Sequence, residues 1–124
     1  MELKVYISGK ISGEEPVACK LKFLDMHVRL RSMGVPTVIN PFHLGIPETW
    51  PWKDAMNLCM DVLKEKANTI VMLNDWTTSN GAKDEYDYAR NHDYLIIFEH
   101  QVPDLWKLVK REKTWIDTSA LEFP

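Results

Sequence analysis

Leu3, Val5 and Ile7 alternate with Lys4, Tyr6 and Ser8, the period of a strand that turns one face to a core. The alternation opens into GKISG, residues 9–13, a turn flanked by Gly9 and Gly13. Across 14–33, Val17, Leu21, Leu24 and Val28 recur at helical spacing, and Phe23, His27 and Leu30 widen the stripe. Pro16 suits a first helical turn and Gly34 a helix end, so this stretch predicts a long amphipathic helix. PTVIN, 36–40, is short and β-branched and is stopped by Pro41, which predicts a second strand ending at Asn40. Three prolines and Gly45 make 41–51 a loop on the same rim as GKISG.

Trp52, Met56, Cys59 and Leu63 predict a second helix over 52–67, and TIVML, 69–73, a third strand. NDWTTSNGAKDEYDYA follows. Ser79, Asn80 and Gly81 can cap and start a helix over 81–92, whose narrow face of small residues holds Ala82, Glu85 and Ala89. YLIIF, 94–98, is apolar throughout, the pattern of a strand buried on both faces. After Pro103, Leu105, Trp106 and Val109 suggest a short helix; Trp115, Ile116, Leu121 and Phe123 make the tail apolar enough to pack on the domain or on a second subunit. The order β-α-β-α-β-α-β-α predicts an α/β protein, a parallel sheet of four or five strands between two helical layers with right-handed crossovers. Residues 1–103 form that domain, and 104–124 the helix and tail.

A chain of 124 residues, 45% hydrophobic and 27% charged, supplies one domain with a proper core. A net charge of -3 without a basic run excludes the footprint of a nucleic-acid polymer binder, though a small anion remains a possible ligand. No apolar run reaches the length of a signal peptide or a membrane span, and the chain reads as cytoplasmic. Cys19 and Cys59 have no partner at metal-ligand or redox spacing and read as small buried apolar residues.

The strand ends deliver SGKISG, NPFHLG, NDWTTSNG and EHQ to one rim, where open α/β sheets bind ligands. A carboxylate one turn into a helix after a strand, as Glu85 is, points to acid–base or nucleophilic chemistry; its plainer reading is one acid among 18 on an exposed face. Asp61, near the turn that feeds the third strand, is a second candidate carboxylate, with a solvated helix face as its alternative. Two carboxylates at one rim suit cleavage of a glycosidic bond. Asp84 and Asp87 point about 100° and 200° away from Glu85 and read as solvent-facing. GKISG could cradle a phosphate on backbone N–H groups or be a plain turn. Tyr6 lies near the mouth, opposite Leu3, Val5 and Ile7, and reads as core packing ahead of ligand contact; Trp76 could stack on a base or cap the core. His43 and His100 sit in rim loops, while His27 and His92 read as structural.

Taken together, VYISGKISG, a long helix, INP, a helix ending in DVLKEKAN, TIVML and the pattern W-x-x-S-x-G-A-x-x-E resemble the nucleoside 2-deoxyribosyltransferase superfamily over residues 3–98. The resemblance implies a flavodoxin-like fold and a covalent, retaining mechanism on a small-molecule nucleoside or nucleotide, without metal or organic cofactor, in a homodimer or higher homo-oligomer. Glu85 matches the nucleophile, Asp61 the family's second aspartate, and Tyr6 a tyrosine bordering the sugar. Gly9, Lys10, Gly13, Asn40, Trp76, Ser79 and Gly81 become the expected substrate-binding residues. Ser79 stands where deoxyribosyltransferases carry Asp; the related deoxynucleoside monophosphate N-glycosidases have Ser there, against the substrate phosphate. E-Y-D-Y replaces the usual E-L-G, so bulk at Tyr86 could narrow the pocket. The rival expectation is a nucleotide-binding module without turnover.

Overall fold

The computed structural model describes residues 2–105, 107 and 109. Strands β1 (Lys4–Ser8), β2 (Thr37–Ile39), β3 (Thr69–Met72) and β4 (Leu95–Phe98) alternate with helices α1 (Pro16–Ser32), α2 (Trp52–Lys66) and α3 (Asn80–Asn91). A further helical stretch begins at residue 102. All pairings are parallel and the order is β2-β1-β3-β4, the flavodoxin-like arrangement expected. Helices lie on both faces. Leu3, Val5 and Ile7 of β1 meet Phe23, Met26 and Leu30 of α1 on one side, joined by Val102, Leu105 and Val109. Tyr6, Ile70 and Met72 meet Leu63 of α2 and Ala82 and Ala89 of α3 on the other. The tail residues from 110 onward and Trp106, for which packing was expected, lie outside the described residues.

Helix α1 turns a different face inward from the one its spacing suggested. Val17, Leu21, Leu24 and Val28 are 41–63% exposed, and Cys19, Phe23, Met26 and Leu30 are buried instead. At about 100° per residue the two sets lie on nearly opposite sides, so α1 is apolar on two faces and periodicity alone does not choose between them. Its end favours the observed one. Gly34 takes φ 93°, and the Val35 N–H donates to the Leu30 carbonyl at 3.1 Å. That closure brings buried Leu30 against buried Val35, the hydrophobic contact that commonly seals such a helix end.

Strand β4 also departs from expectation. It pairs with β3 alone among the described residues, so it is an edge strand, and only Ile97 of its four residues is buried. Its apolarity reflects helices on both faces, since Leu95 packs on the α1 side and Ile96 and Phe98 on the α3 side, while the open edge keeps it half-exposed. Strands β1 and β3 occupy the middle of the sheet and hold the most deeply buried residues.

The face assignment of α1 has a direct test in urea denaturation. Phe23→Ala empties a fully buried site and should cost about 3–5 kcal/mol. Leu24→Ala should stay within about 0.5 kcal/mol of wild type. Equal losses at the two positions would contradict the orientation described.

Candidate active site

The strand order reverses between β1 and β3, and Glu85 lies just beyond that point. Ser79 ends the preceding loop in an extended conformation, and its Oγ accepts a hydrogen bond from the Ala82 N–H at 3.1 Å, starting α3. Gly81, Ala82 and Ala89 let the helix approach closely: a Cβ on Gly81 would fall 2.9 Å from the Met56 sulfur, and both alanines are buried. Glu85, the sixth residue of the helix, is thereby carried into the interior at 5% exposure.

Two hydroxyls meet it there. Tyr6 Oη donates to Glu85 Oε2 at 2.5 Å, and Ser8 Oγ donates to Oε1 at 2.7 Å. Tyr6 and Ser8 are two residues apart on β1, so the pleat turns both toward α3. Burial pushes the Glu85 carboxyl up to about 7, against the pull of the Tyr6 and Ser8 hydrogen bonds, and Asp84 adds slightly to the rise. Burial and the Glu85 charge hold Tyr6 well above the usual phenol range. Cys59 is pushed up to about 11, by burial first and the Glu85 charge second, so its thiol is inert at neutral pH.

Glu85 lines a central cavity of about 100 Å³ with Tyr6, Gly9 and Cys59. Two lobes extend it. A polar lobe of about 370 Å³ is walled by Lys10, Thr78 and Asn80, and shares Ser12, Trp52, Ser79 and Gly81 with the centre. An apolar lobe of about 460 Å³ contains Phe42, Ile46 and Trp50, and meets the centre at Ile11, Pro41, Ala55 and Cys59.

Of the residues expected at the site, Tyr6, Gly9, Ser79, Gly81 and Glu85 line the central cavity, and Lys10 the polar lobe. Asp61 does not come to it. Helix α2 starts at the rim and runs away from it, Cys59 and Leu63 face inward, and Asp61 lies exposed between them. Trp76 stacks on Tyr86 at 4.6 Å and near Phe98 at 6.0 Å, so it caps the core over β4 and lines none of the three spaces. Tyr86 belongs to that same cluster and leaves the cavity unobstructed. Asn40 is buried, but its Oδ1 accepts from the Phe42 N–H at 3.0 Å and caps the turn at Pro41–His43. Gly13 supplies a φ of 81° for the loop, with open space around it. GKISG does not open the N-terminus of α1 to an anion either, because the Glu15 carboxylate already accepts from the N–H groups of Val17 and Ala18. His43 packs on His27 and His100 on Phe98; Asp84 and Asp87 are exposed, as expected.

Sequence reasoning passed over Ser8, Trp50 and the brace behind the polar lobe. Lys22 of α1 donates to Asp75 Oδ2 at 2.5 Å and to the Lys10 carbonyl at 3.0 Å, and Asp75 Oδ1 accepts from the Lys10 N–H at 3.0 Å. Burial alone would lower the Lys22 ammonium; its contact with Asp75 outweighs that and leaves it raised. Among the described residues no group of three or more His, Cys, Asp or Glu side chains could hold a metal ion. No helix among them is long and apolar enough to cross a membrane.

Fold and site define a parallel α/β domain with a buried, hydroxyl-held carboxylate at the topological switch point. The chain belongs to the family described as Domain of unknown function (DUF4406), whose model matches residues 3–98. No curated protein and no solved structure matches it.

The carboxyl of Glu85 rises in the folded state from an ordinary 4.5 to about 7, so its neutral form is favoured there. Its contribution is full below about 4.5 and is lost as pH rises through 7, an effect on the order of 3 kcal/mol. Stability measured by urea should fall across that window in wild type relative to Glu85→Gln. Tyr6→Phe removes a donor to the carboxylate, so the fall should begin at the same pH but extend to higher pH and grow deeper; an unchanged upper end would show that the Tyr6 hydrogen bond does not hold the charge.

Proposed function

We propose that the protein cleaves, or transfers across, the N-glycosidic bond of a 2-deoxynucleoside or its 5-monophosphate, with Glu85 as nucleophile. The observation that carries the reading is the Glu85 carboxylate, buried at the cavity floor and held by two hydroxyls. Tyr6 and Ser8 fix its oxygens in place before a substrate arrives, so little reorganisation remains for the attacking step. Sequence resemblance to the nucleoside 2-deoxyribosyltransferases supports the same role for Glu85 and Tyr6.

In this reading the sugar fills the central cavity, the base the apolar lobe against Trp50, and a 5-phosphate the polar lobe beside Lys10 and Ser79. A Glu85 oxygen forms a bond to the anomeric carbon as the carbon–nitrogen bond breaks. The electron pair leaves with the base nitrogen, which takes a proton from water. A second water, giving its proton to the hydroxide left by the first, or the nitrogen of a second base, losing its N–H proton to that hydroxide, then attacks the anomeric carbon and releases the carboxylate. Glu85 must be ionised to attack, and a pKa near 7 leaves about half of it ready at neutrality.

One observation favours a non-catalytic nucleotide-binding module as the second reading: with Asp61 exposed, Glu85 is the sole carboxylate among the described residues lining the central cavity. Release of free base from a panel of deoxynucleosides and their monophosphates separates the two. Wild type should release base with kcat/KM rising through about pH 7, and Glu85→Gln should lower the rate by at least about a thousandfold. Nucleotide binding without base release at any pH would establish the module.

A further inference from the structure

Lys22 lies outside all three spaces of the site, on the second turn of α1, yet its ammonium reaches both loops that wall the polar lobe. It holds Asp75 at 2.5 Å, the Lys10 carbonyl at 3.0 Å and Glu14 at 3.4 Å. Since Asp75 takes the Lys10 N–H, the backbone of Lys10 is gripped at its donor and at its acceptor. Lys10 brings a cation to the polar lobe, and Gly9 and Ile11 on either side of it line the central cavity. Lys22 and Asp75 each keep only 28% of their side chain exposed, so water screens the pair less than a surface ion pair.

We propose that Lys22 is a positioning residue that sets the preference of this site for substrates bearing an anionic group, by pinning Lys10 in the wall of the polar lobe and cancelling the charge of Asp75. The inference rests on the reading of the polar lobe as the phosphate end. Without Lys22, the Asp75 carboxylate would stand uncompensated one hydrogen bond from Lys10, and a phosphate approaching Lys10 would meet like charge. An uncharged sugar end would meet no such penalty. The brace comes from a helix rather than from either loop, so it acts through a rigid element, and the Lys22 side chain itself lines none of the three spaces.

Calorimetric titration with a 2-deoxynucleoside 5-monophosphate and with the matching nucleoside reads this without turnover. Lys22→Met should weaken the monophosphate about tenfold and leave the nucleoside within about twofold, while Lys22→Arg should keep the wild-type preference. Adding Asp75→Asn to Lys22→Met should restore most of the lost monophosphate affinity, because the repelling charge goes with it. A structural defect would weaken both ligands together and would not be relieved by removing a second partner; that pattern, or an unchanged monophosphate affinity in Lys22→Met, overturns the inference. If Lys22→Met does not fold, Asp75→Asn alone decides: a retained or increased monophosphate preference supports the proposal, and a lost one overturns it. Base release assayed on the same wild-type protein separates the two conclusions. Monophosphate binding without release sinks the glycosidase reading and leaves Lys22 its role, whereas a wild type that binds no monophosphate overturns both.

Discussion

Burying the Glu85 carboxyl deprives a charge of water, and the arrangement of β1, α3 and the cavity follows from how that cost is met. A carboxylate without partners in the interior would simply stay protonated. Here two hydroxyls on one face of β1 reach its two oxygens, which pulls ionisation back toward neutrality without abolishing the effect of burial. The geometry requires α3 to lie close to the sheet, hence the buried Ala82 and Ala89 on its inner face, while Gly81 lets α3 approach Met56 of α2. It also requires β1 to be central, so that Tyr6 is held between Ile39 of β2 and Ile70 of β3, and Ser8 beside Met72 of β3. A group poised between acid and anion near pH 7 is what perturbed environments at functional sites commonly produce.

Around that carboxylate the walls divide by chemistry. Hydroxyl and amide groups from the loop before α3, with Lys10, make one lobe polar; the proline-rich loop between β2 and α2 makes the other apolar. The loops differ in how they are held. The polar wall is tied through Lys22 and Asp75 to α1, whose buried face is fixed by Phe23, Met26 and Leu30. Packing on the far side of the sheet thus sets the position of a residue at the mouth of the site. This is why the orientation of α1 matters to function even though its exposed stripe touches no part of the cavity.

Much of this was readable before any coordinates. The alternation in 3–8 puts Tyr6 on the face opposite Leu3, Val5 and Ile7, and the Ser-Asn-Gly start of α3 puts Glu85 on its small-residue face, the face found buried. Ser8 escaped notice because a serine at the end of a strand reads as its solvent-facing member, and only pairing with α3 turns that position into a donor. Asp61 lies away from the cavity for a directional reason: spacing places it on α2, but a helix descending from the rim takes its later residues away from it. Trp76 reads equally as a base-stacking or a core-capping residue and Tyr86 as one that narrows the pocket, whereas stacked on one another and on Phe98 they seal the sheet edge. The two-faced apolarity of α1 was the one place where periodicity gave two answers, and bulk at Phe23 together with the closure at Gly34 decided between them.

The asymmetry of the lobes also bears on what kind of selectivity such a site can have. A polar wall with a positioned cation distinguishes a charged end from a neutral one strongly, because a mismatch leaves charge or polar groups unpaired. The apolar lobe, built largely from Phe42, Ile46, Trp50 and three prolines, offers a base a surface for stacking, and the charged groups in its lining are engaged with one another or with Lys22: Lys20 with Glu48, and Glu14 with Lys22. Differences of a methyl or an exocyclic group change such contacts by only about 1–3 kcal/mol. On the reading proposed, discrimination therefore resides at the end of the substrate remote from the bond that breaks, and the braced Lys10 loop, rather than the aromatic wall, is where a change of specificity would have to begin.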